Sequence, residues 1–256
     1  MTEFKRVHDL KDHRVLITGS ARGLGRGIAE ALGHWGATVV IADLADDAVS
    51  AAVDELRSAG VDATGMALDV TDEGSVAEAI NRAWTKLGGL DLLVNNAGVL
   101  SVGDLASTDK GDWDRTLCVN ATGSFLMCRA MVRRLQQERR PGSIVSLASI
   151  AGKRGDPGMS SYSASKFAVV GMTQALAREV GTDDILVNAV CPGVVRTDMI
   201  DKLVRESGEA ADDWIAQQAI KRAQTPGDIA YAIGFLHLSR AMTGQALNVD
   251  GGTLFH

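Results

Sequence analysis

A chain of 256 residues that is 46% hydrophobic and 23% charged has the composition of a soluble globular protein with a sizeable core. Its formal net charge of −6 argues against nucleic acid or an anionic membrane surface as the main partner. The start of the chain has no apolar signal core and no later run approaches the length of a membrane span, so we expect a cytoplasmic protein.

The cysteines and histidines do not predict a metal site. Cys118, Cys128 and Cys191 are odd in number and lack the spacing of metal ligands. The five histidines are scattered along the chain. We therefore expect buried free thiols in a protein of a reducing compartment, and no bound metal.

Short aliphatic runs alternate with segments of helical periodicity along most of the chain. Alternation of this kind predicts one α/β domain, residues 1–256, built on a doubly wound, mostly parallel seven-stranded sheet with helices on both faces. The charged segment 196–225 fits neither pattern, and we expect one or two short helices there that cover a substrate site. The predicted strands lie at 15–18, 37–42, 63–70, 90–94, 143–147, 185–190 and 245–249, and the predicted helices at 25–35, 46–59, 71–87, 113–137, 160–180 and 228–238.

A glycine-rich stretch, Thr18-Gly19-Ser20-Ala21-Arg22-Gly23-Leu24-Gly25, lies between the first predicted strand and the first predicted helix. Gly19 permits a tight turn, Gly23 lets the backbone approach a pyrophosphate, and Gly25 lets the helix and strand pack closely. The helix that follows offers free N–H groups and the positive end of its dipole to an anion. The stretch therefore predicts a nucleotide site.

An acidic and a basic residue near this loop give opposite indications about whether the nucleotide carries a 2′-phosphate. Asp43 ends the second predicted strand, where its carboxylate can hydrogen-bond the adenosine ribose and repel a 2′-phosphate, which favours NAD. Arg22, within the loop, could instead accept that phosphate. We give Asp43 more weight because it lies where the ribose hydroxyl itself would be; the alternative is that it merely ends the strand.

Tyr162 and Lys166 are four residues apart in a predicted helix, which places both side chains on one face. A tyrosine ordinarily titrates near pH ~10, so proton transfer near neutrality needs its phenolate stabilised by roughly 3–4 kcal/mol. A nearby ammonium in a site that excludes water can supply much of this. Ser149, thirteen residues upstream of Tyr162, offers a hydroxyl that could bond the same substrate oxygen.

With the glycine-rich loop, Asn95-Asn96-Ala97-Gly98, Ser149, Tyr162 and Lys166 in this order, the sequence resembles the classical short-chain dehydrogenases/reductases over about residues 10–253. The resemblance implies a Rossmann-type fold and a nicotinamide cofactor. The positions that it assigns to cofactor contacts are Gly19, Ser20, Arg22, Gly23, Leu24, Gly25, Asp43, Leu44, Asp69, Val70, Asn96, Ala97, Gly98, Tyr162, Lys166, Pro192, Gly193, Val195 and Thr197.

The resemblance also implies hydride transfer between the nicotinamide and a carbinol carbon, with four catalytic residues. In oxidation, Tyr162 as phenolate would take the hydroxyl proton, while Ser149 would polarise and orient the substrate oxygen. Lys166 would lower the pKa of the tyrosine and bond the nicotinamide ribose. Asn120 would hold a water that passes the proton outward; alternatively, it distorts a helix and its side chain is satisfied by backbone groups.

Three functions follow from these observations. The first is an NAD(H)-dependent oxidoreductase acting on a secondary alcohol, with a preference for polyols, sugar alcohols or small diols because segments 150–159 and 196–225 are short of aromatics and rich in charge. The second is an NADPH-dependent 3-oxoacyl-thioester reductase of the fatty-acid type. The third, from another class, is a nucleotide-binding scaffold that has lost its chemistry.

The resemblance implies a homotetramer, or a dimer, that associates through two long helices and the C-terminal strand region. The helices concerned are those predicted at about 113–137 and 160–180. The sequence itself shows only that long helices are available for such contacts.

Overall fold

The computed structural model describes residues 9–256 and contains one sheet of seven parallel strands. The spatial order is β3-β2-β1-β4-β5-β6-β7, so the direction of winding reverses between β1 and β4. This confirms the predicted doubly wound α/β fold. The strands are β1 Arg14–Thr18, β2 Thr38–Asp43, β3 Ala63–Ala67, β4 Leu92–Asn95, β5 Gly142–Leu147, β6 Ile185–Pro192 and β7 Ala246–Val249.

Helices cover both faces of the sheet because the strand side chains alternate between two apolar cores. The helices are α1 Gly23–His34, α2 Asp46–Ser58, α3 Glu73–Leu87, α4 Lys110–Leu117, α5 Gly123–Glu138, α6 Ser160–Val180, α7 Asp198–Ser207, α8 Ala211–Gln217 and α9 Pro226–Leu238. In β1, Val15 and Ile17 join the core formed with α1, α2 and α9, whereas Leu16 joins the core formed with α3, α5 and α6. None of the helices in residues 9–256 combines the length and apolar character needed to cross a membrane.

The prediction of one regular helix at 113–137 is wrong. The helix begins earlier, at Lys110, because the Asp109 carboxylate accepts a hydrogen bond from the Gly111 N–H at 2.7 Å and caps the first turn. It is then interrupted by a π-helical turn, Cys118–Thr122, before α5 continues. Such turns widen a helix by one residue and are frequent at functional sites.

Several other boundaries differ from the prediction. The third strand ends at Ala67, not at residue 70, because the Asp69 carboxylate accepts bonds from the N–H and hydroxyl of Thr71 and turns the chain. The last helix begins at Pro226, where Thr225 and Asp228 form a capping box. The fourth strand begins at residue 92 rather than 90, α1 at 23 rather than 25, and α3 at 73 rather than 71. Segment 196–225 contains two short helices, α7 and α8, as expected.

Candidate active site

The glycine-rich loop after β1 is shaped by close contacts with the segment that follows β4. Gly19 has a φ of +62°, and a Cβ there would lie 2.7 Å from the Cα of Ala97. Gly23 has a φ of +57° with open space around the position of a Cβ. A Cβ added to Gly25 would clash with the side-chain nitrogen of Asn96. Because no side chain caps the start of α1, its first N–H groups are available to a ligand. These features fit the pyrophosphate of a dinucleotide.

Asn96 and Thr18 hold the two loops together. The Asn96 side-chain amide donates to the carbonyls of Thr18 and Gly19 at 2.9 and 2.8 Å. The Thr18 hydroxyl accepts from the N–H groups of Asn96 and Ala97 at 3.1 and 3.0 Å. Thr18, which is not among the predicted contact residues, therefore shapes the glycine-rich loop.

Asp43 and Arg22 make different contacts beside this loop. The two Asp43 carboxylate oxygens accept from the backbone N–H of Ala21 at 3.0 Å and of Leu44 at 2.8 Å, so the carboxylate is fixed at the end of β2. The Arg22 guanidinium lies 3.8 Å from the carboxylate of Asp198, at the start of α7. The guanidinium is therefore directed towards α7.

Some predicted contact residues use their side chains within the protein. The buried Ser20 hydroxyl donates to the Ile17 carbonyl at 2.6 Å and accepts from the Ala42 N–H at 3.1 Å, so it joins β1 to β2. Val70 is buried against Gly123, and Leu24 packs on the core. Leu44, by contrast, is 69% exposed just after β2.

The Pro192-Gly193 turn at the end of β6 is held by the C-terminal strand. The Gly193 N–H donates to the Val249 carbonyl at 3.1 Å, and a Cβ on Gly193 would lie 2.8 Å from the Asp250 Cα. Val195 forms an isolated bridge with Gln224. The Thr197 hydroxyl donates to the Val195 carbonyl at 3.2 Å, immediately before α7 begins.

Ser149 and Tyr162 meet beyond the end of β5. Ser149 precedes a short 3₁₀ turn, and its hydroxyl oxygen accepts from the Ala151 N–H at 3.1 Å. Tyr162 lies in the first turn of α6. Burial raises the pKa of Tyr162, and a hydrogen bond with the Ser149 hydroxyl opposes this rise. The net shift of the Tyr162 pKa is therefore upward, whereas we expected Lys166 to lower this pKa.

Lys166 lies one turn further along α6 and is buried. Its ammonium donates to the Leu147 carbonyl at 2.7 Å and lies 5.6 Å from the centroid of the Tyr162 ring. Burial lowers the pKa of Lys166 to about 8, so the group is still an ammonium at neutral pH. The predicted placement of both side chains together is therefore observed.

Asn120 lies in the π-helical turn and is 1% exposed. Its side-chain oxygen accepts from the Val99 N–H at 2.8 Å, and its side-chain nitrogen donates to the Val99 carbonyl at 2.9 Å. The same nitrogen donates to the Ser165 hydroxyl at 3.0 Å, which in turn donates to the Tyr162 carbonyl at 2.7 Å. A Cβ on Gly98 would lie 3.3 Å from the Asn120 oxygen and 3.7 Å from the Lys166 nitrogen. Ser165 is not among the predicted catalytic or cofactor-binding residues; the sequence indicates only packing or hydrogen bonding for it, and the structure shows the hydrogen bonding.

The three cysteines are free thiols, as expected, but only Cys128 and Cys191 are buried, whereas Cys118 is half-buried. Cys191, which lies close enough to Lys166 and Tyr162 to affect both electrostatically, has a pKa raised by burial. Within residues 9–256, no group of three or more His, Cys, Asp or Glu side chains could hold a metal ion.

The chain is similar to proteins of one family over nearly its whole length. A family model described as enoyl-(acyl carrier protein) reductase matches residues 19–254. The L-2,3-butanediol dehydrogenase of Corynebacterium glutamicum is 36% identical over 94% of this chain and 98% of its own. The 3-oxoacyl-acyl-carrier-protein reductase FabG of Aquifex aeolicus is 35% identical over 93% of this chain and 95% of its own.

A solved structure agrees with these relatives. A short-chain type dehydrogenase/reductase from Mycobacterium marinum superposes with a TM-score of 0.90 at 31% identity, covering 98% of both chains. The chain therefore belongs to the classical short-chain dehydrogenases/reductases, which use a nicotinamide cofactor, and it is an oxidoreductase that interconverts secondary alcohols and ketones.

Proposed function

We propose that the protein is an NAD(H)-dependent dehydrogenase that interconverts a secondary alcohol, of the polyol, sugar-alcohol or small-diol class, and its ketone. The observation that carries the proposal is the placement of the buried Lys166 ammonium 5.6 Å from the centroid of the Tyr162 ring, with Ser149 close enough to Tyr162 to affect its pKa. The proposal treats residues 1–256 as one catalytic domain in the cytoplasm, with segment 196–225 covering the substrate.

In this mechanism the bound nicotinamide supplies the hydride acceptor for oxidation and the hydride donor for reduction. Tyr162 donates its proton to the carbonyl oxygen in reduction and takes the hydroxyl proton, as phenolate, in oxidation. Ser149 bonds and orients the same oxygen. Lys166 adds positive charge that favours the phenolate, and Asn120 would hold a water through which, together with Lys166, the proton passes outward.

The fixed carboxylate of Asp43 supports NAD as the cofactor. It lies at the end of β2 beside the glycine-rich loop, where it can accept hydrogen bonds from the adenosine ribose and repel a 2′-phosphate. Arg22, the residue that would favour NADP, is directed towards Asp198. The remaining predicted contacts, including Gly98 and Asp69, complete the proposed dinucleotide site.

The substrate class is supported by the character of the residues over the site. Segment 196–225 carries exposed charged pairs such as Arg196 with Asp212, which suit a polar substrate better than a long acyl chain. The similarity to a butanediol dehydrogenase supports a small diol. The second candidate, an NADPH-dependent 3-oxoacyl-thioester reductase, is favoured by the similarity to FabG and by the description of the matching family.

The test is a turnover assay that follows the near-ultraviolet absorbance of reduced nicotinamide. The wild type, Tyr162→Phe and Tyr231→Phe are compared on polyols, simple secondary alcohols and 3-oxoacyl thioesters, with NAD(H) and NADP(H) run separately. Tyr231, the other tyrosine, is 51% exposed on α9 and serves as the matched control. We expect polyol turnover with NAD⁺ that Tyr162→Phe abolishes and Tyr231→Phe preserves, with NADH binding intact in both variants.

Two results would contradict the proposal. Turnover restricted to thioesters with NADPH would be compatible with the role of Tyr162. It would contradict the proposed substrate class and the conclusion from Asp43 that the cofactor is NAD. Unchanged turnover in Tyr162→Phe would refute the acid–base role itself.

A further inference from the structure

Helix α7 lies beyond the end of β6 without being anchored in the core. None of its ten residues is buried. Its apolar side chains, which would seal a hydrophobic core in an ordinary helix, are all half-buried: Met199, Ile200, Leu203 and Val204. Apolar packing therefore holds α7 less firmly than it holds the core helices, and polar contacts gain weight in fixing its position.

One of these contacts joins α7 to the segment that follows β4. The Lys202 ammonium donates to the Leu100 carbonyl at 2.8 Å, and the two residues are 102 positions apart in the chain. Glu206, one turn further along α7, lies 3.7 Å from the same ammonium and helps to orient it. A hydrogen bond from an ammonium is stronger than one between neutral groups.

The second contact from α7 is much weaker. Arg22 and Asp198 are 3.8 Å apart and both side chains are more than 80% exposed. Ion pairs of this kind contribute little because water and salt screen them. Of these two polar contacts, the one made by Lys202 therefore contributes more to holding α7 against the segment that follows β4.

The residue next to Leu100 belongs to the candidate site. Val99 makes both of its backbone hydrogen bonds, from its N–H at 2.8 Å and to its carbonyl at 2.9 Å, with the side chain of Asn120. Asn120 is almost completely buried, so these bonds are shielded from water. A displacement of Leu100 would therefore move the backbone to which Asn120 is bonded.

The connection continues from Asn120 to Tyr162. Asn120 donates to the Ser165 hydroxyl at 3.0 Å, and Ser165, which is fully buried, donates to the Tyr162 carbonyl at 2.7 Å. A series of hydrogen bonds, joined through the covalent backbone between Leu100 and Val99, thus runs from Lys202, on the surface helix, to the backbone of the proposed acid–base residue.

We propose that Lys202 is a positioning residue, whose bond to the Leu100 carbonyl couples the position of α7 to the arrangement of Asn120 and Tyr162. This inference rests on the proposed function, because it assumes the catalytic roles of those two residues. When α7 is in place, the segment 96–100 is held against Asn120. When the bond is lost, this segment and the Asn120 side chain gain freedom together.

The test compares Lys202→Met, Lys202→Arg and Arg205→Met with the wild type. Lys202→Met keeps the unbranched stem and removes the charge, whereas Lys202→Arg keeps a cationic donor. Arg205 is exposed on the same helix, so Arg205→Met is the matched control for charge removal. Two quantities are measured: hydrogen exchange of the Val99 amide in the protein without added ligand, and kcat and KM for the best substrate in the panel above.

We expect Lys202→Met to accelerate Val99 exchange and to lower kcat, each by roughly two- to thirtyfold, the range typical of mutations along a coupled network. Lys202→Arg should restore both, Arg205→Met should change neither, and the melting temperature should stay that of the wild type. Unchanged exchange at Val99 in Lys202→Met would overturn the inference. A higher KM with an unchanged kcat would also overturn it, because α7 would then act only as a cover. If the wild type turned over no substrate, the proposed function would fail, but the exchange experiment would still decide whether Lys202 positions the segment.

Discussion

Burial and hydrogen bonding have opposite effects on the pKa of Tyr162. Burial disfavours the phenolate and raises the pKa of the side chain, while the Ser149 hydroxyl favours the phenolate by hydrogen bonding to it. Lys166 contributes positive charge, but its ammonium is bonded to the Leu147 carbonyl. The protein without cofactor therefore holds Tyr162 as a neutral phenol at neutral pH, in the form that donates a proton.

The pH dependence of turnover should follow from this balance. Alcohol oxidation needs the phenolate, so its kcat/KM should rise as the pH increases through the pKa of Tyr162, whereas ketone reduction should fall over the same range. Ser149→Ala removes the interaction that lowers this pKa. The variant should therefore shift the oxidation profile to higher pH, in addition to lowering its maximum. The measurement is kcat/KM across the alkaline range in both directions.

A control separates this effect from a general loss of activity. Ser143→Ala removes another buried serine hydroxyl, on β5, that does not contact Tyr162, and it should leave the pH profile in place. A Ser149→Ala profile that is lower but unshifted would show that the serine acts on the substrate alone and does not tune the phenol.

Among the elements, the start of β1 is tied to the start of β4 by an ion pair with good geometry. The Arg14 guanidinium donates to both Asp91 oxygens at 2.7 and 2.8 Å and to the Gly88 carbonyl at 2.8 Å, at the end of α3. The Arg14 backbone N–H also donates to Asp91, at 2.9 Å. These bonds outweigh the desolvation of the carboxylate, so the pKa of Asp91 lies below its ordinary value.

Asp91→Asn should lower the free energy of unfolding by about 1–3 kcal/mol at neutral pH, the usual cost of losing hydrogen bonds to a charged group. Because the pKa of Asp91 is depressed in the folded state, this stabilisation is complete above about pH 4 and is lost as the pH falls further. Urea unfolding of both proteins should show a difference that shrinks in acid. Asp114→Asn, which breaks an exposed pair with Lys110, is the control and should change stability by no more than about 0.5 kcal/mol. An Asp91→Asn loss that stayed constant down to pH ~2 would contradict the electrostatic explanation.

The sequence predicts regular elements well where local pattern decides them. The strand and helix alternation predicts the seven-stranded sheet because each element shows its periodicity over its own residues. The π-helical turn was not predictable in this way, because it depends on Asn120 bonding the backbone of Val99, which is distant in the chain.

The same distinction applies to the candidate site. Tyr162 and Lys166 share a helix, so their spacing was sufficient to place them together. Lys202 carries no such signal. Its partner is the backbone carbonyl of Leu100, and a carbonyl looks the same at every position of a sequence. Its role became visible only when the fold brought α7 to the segment after β4.

For the whole molecule, the distribution of large exposed aromatic side chains bears on how copies of the chain would associate. Phe125 on α5 and Phe167 on α6 are 45% and 46% exposed, and Phe235 on α9 is 38% exposed. Near the C-terminus, Phe255 is 85% exposed. Large aromatic side chains contribute strongly to binding when a partner covers them. We propose a homotetramer that covers α5 and α6 with one neighbour and the α9 and C-terminal region with another.

Phe167→Asp should divide this tetramer into dimers, because it places a carboxylate in the contact made by α6 and leaves the contact at α9 intact. Sedimentation velocity of the wild type and the variant measures the masses directly. Leu44→Asp introduces the same charge at an exposed apolar residue after β2, away from these helices, and should remain tetrameric. Lys166 and Phe167 are adjacent in α6, and Lys166 is buried towards the site whereas Phe167 is exposed. Because the outer face of α6 would no longer contact a neighbouring subunit, the dimer should also lose part of its turnover. A monomeric wild type, or a tetrameric Phe167→Asp, would show that the exposed phenylalanines of α5 and α6 are not the association surface.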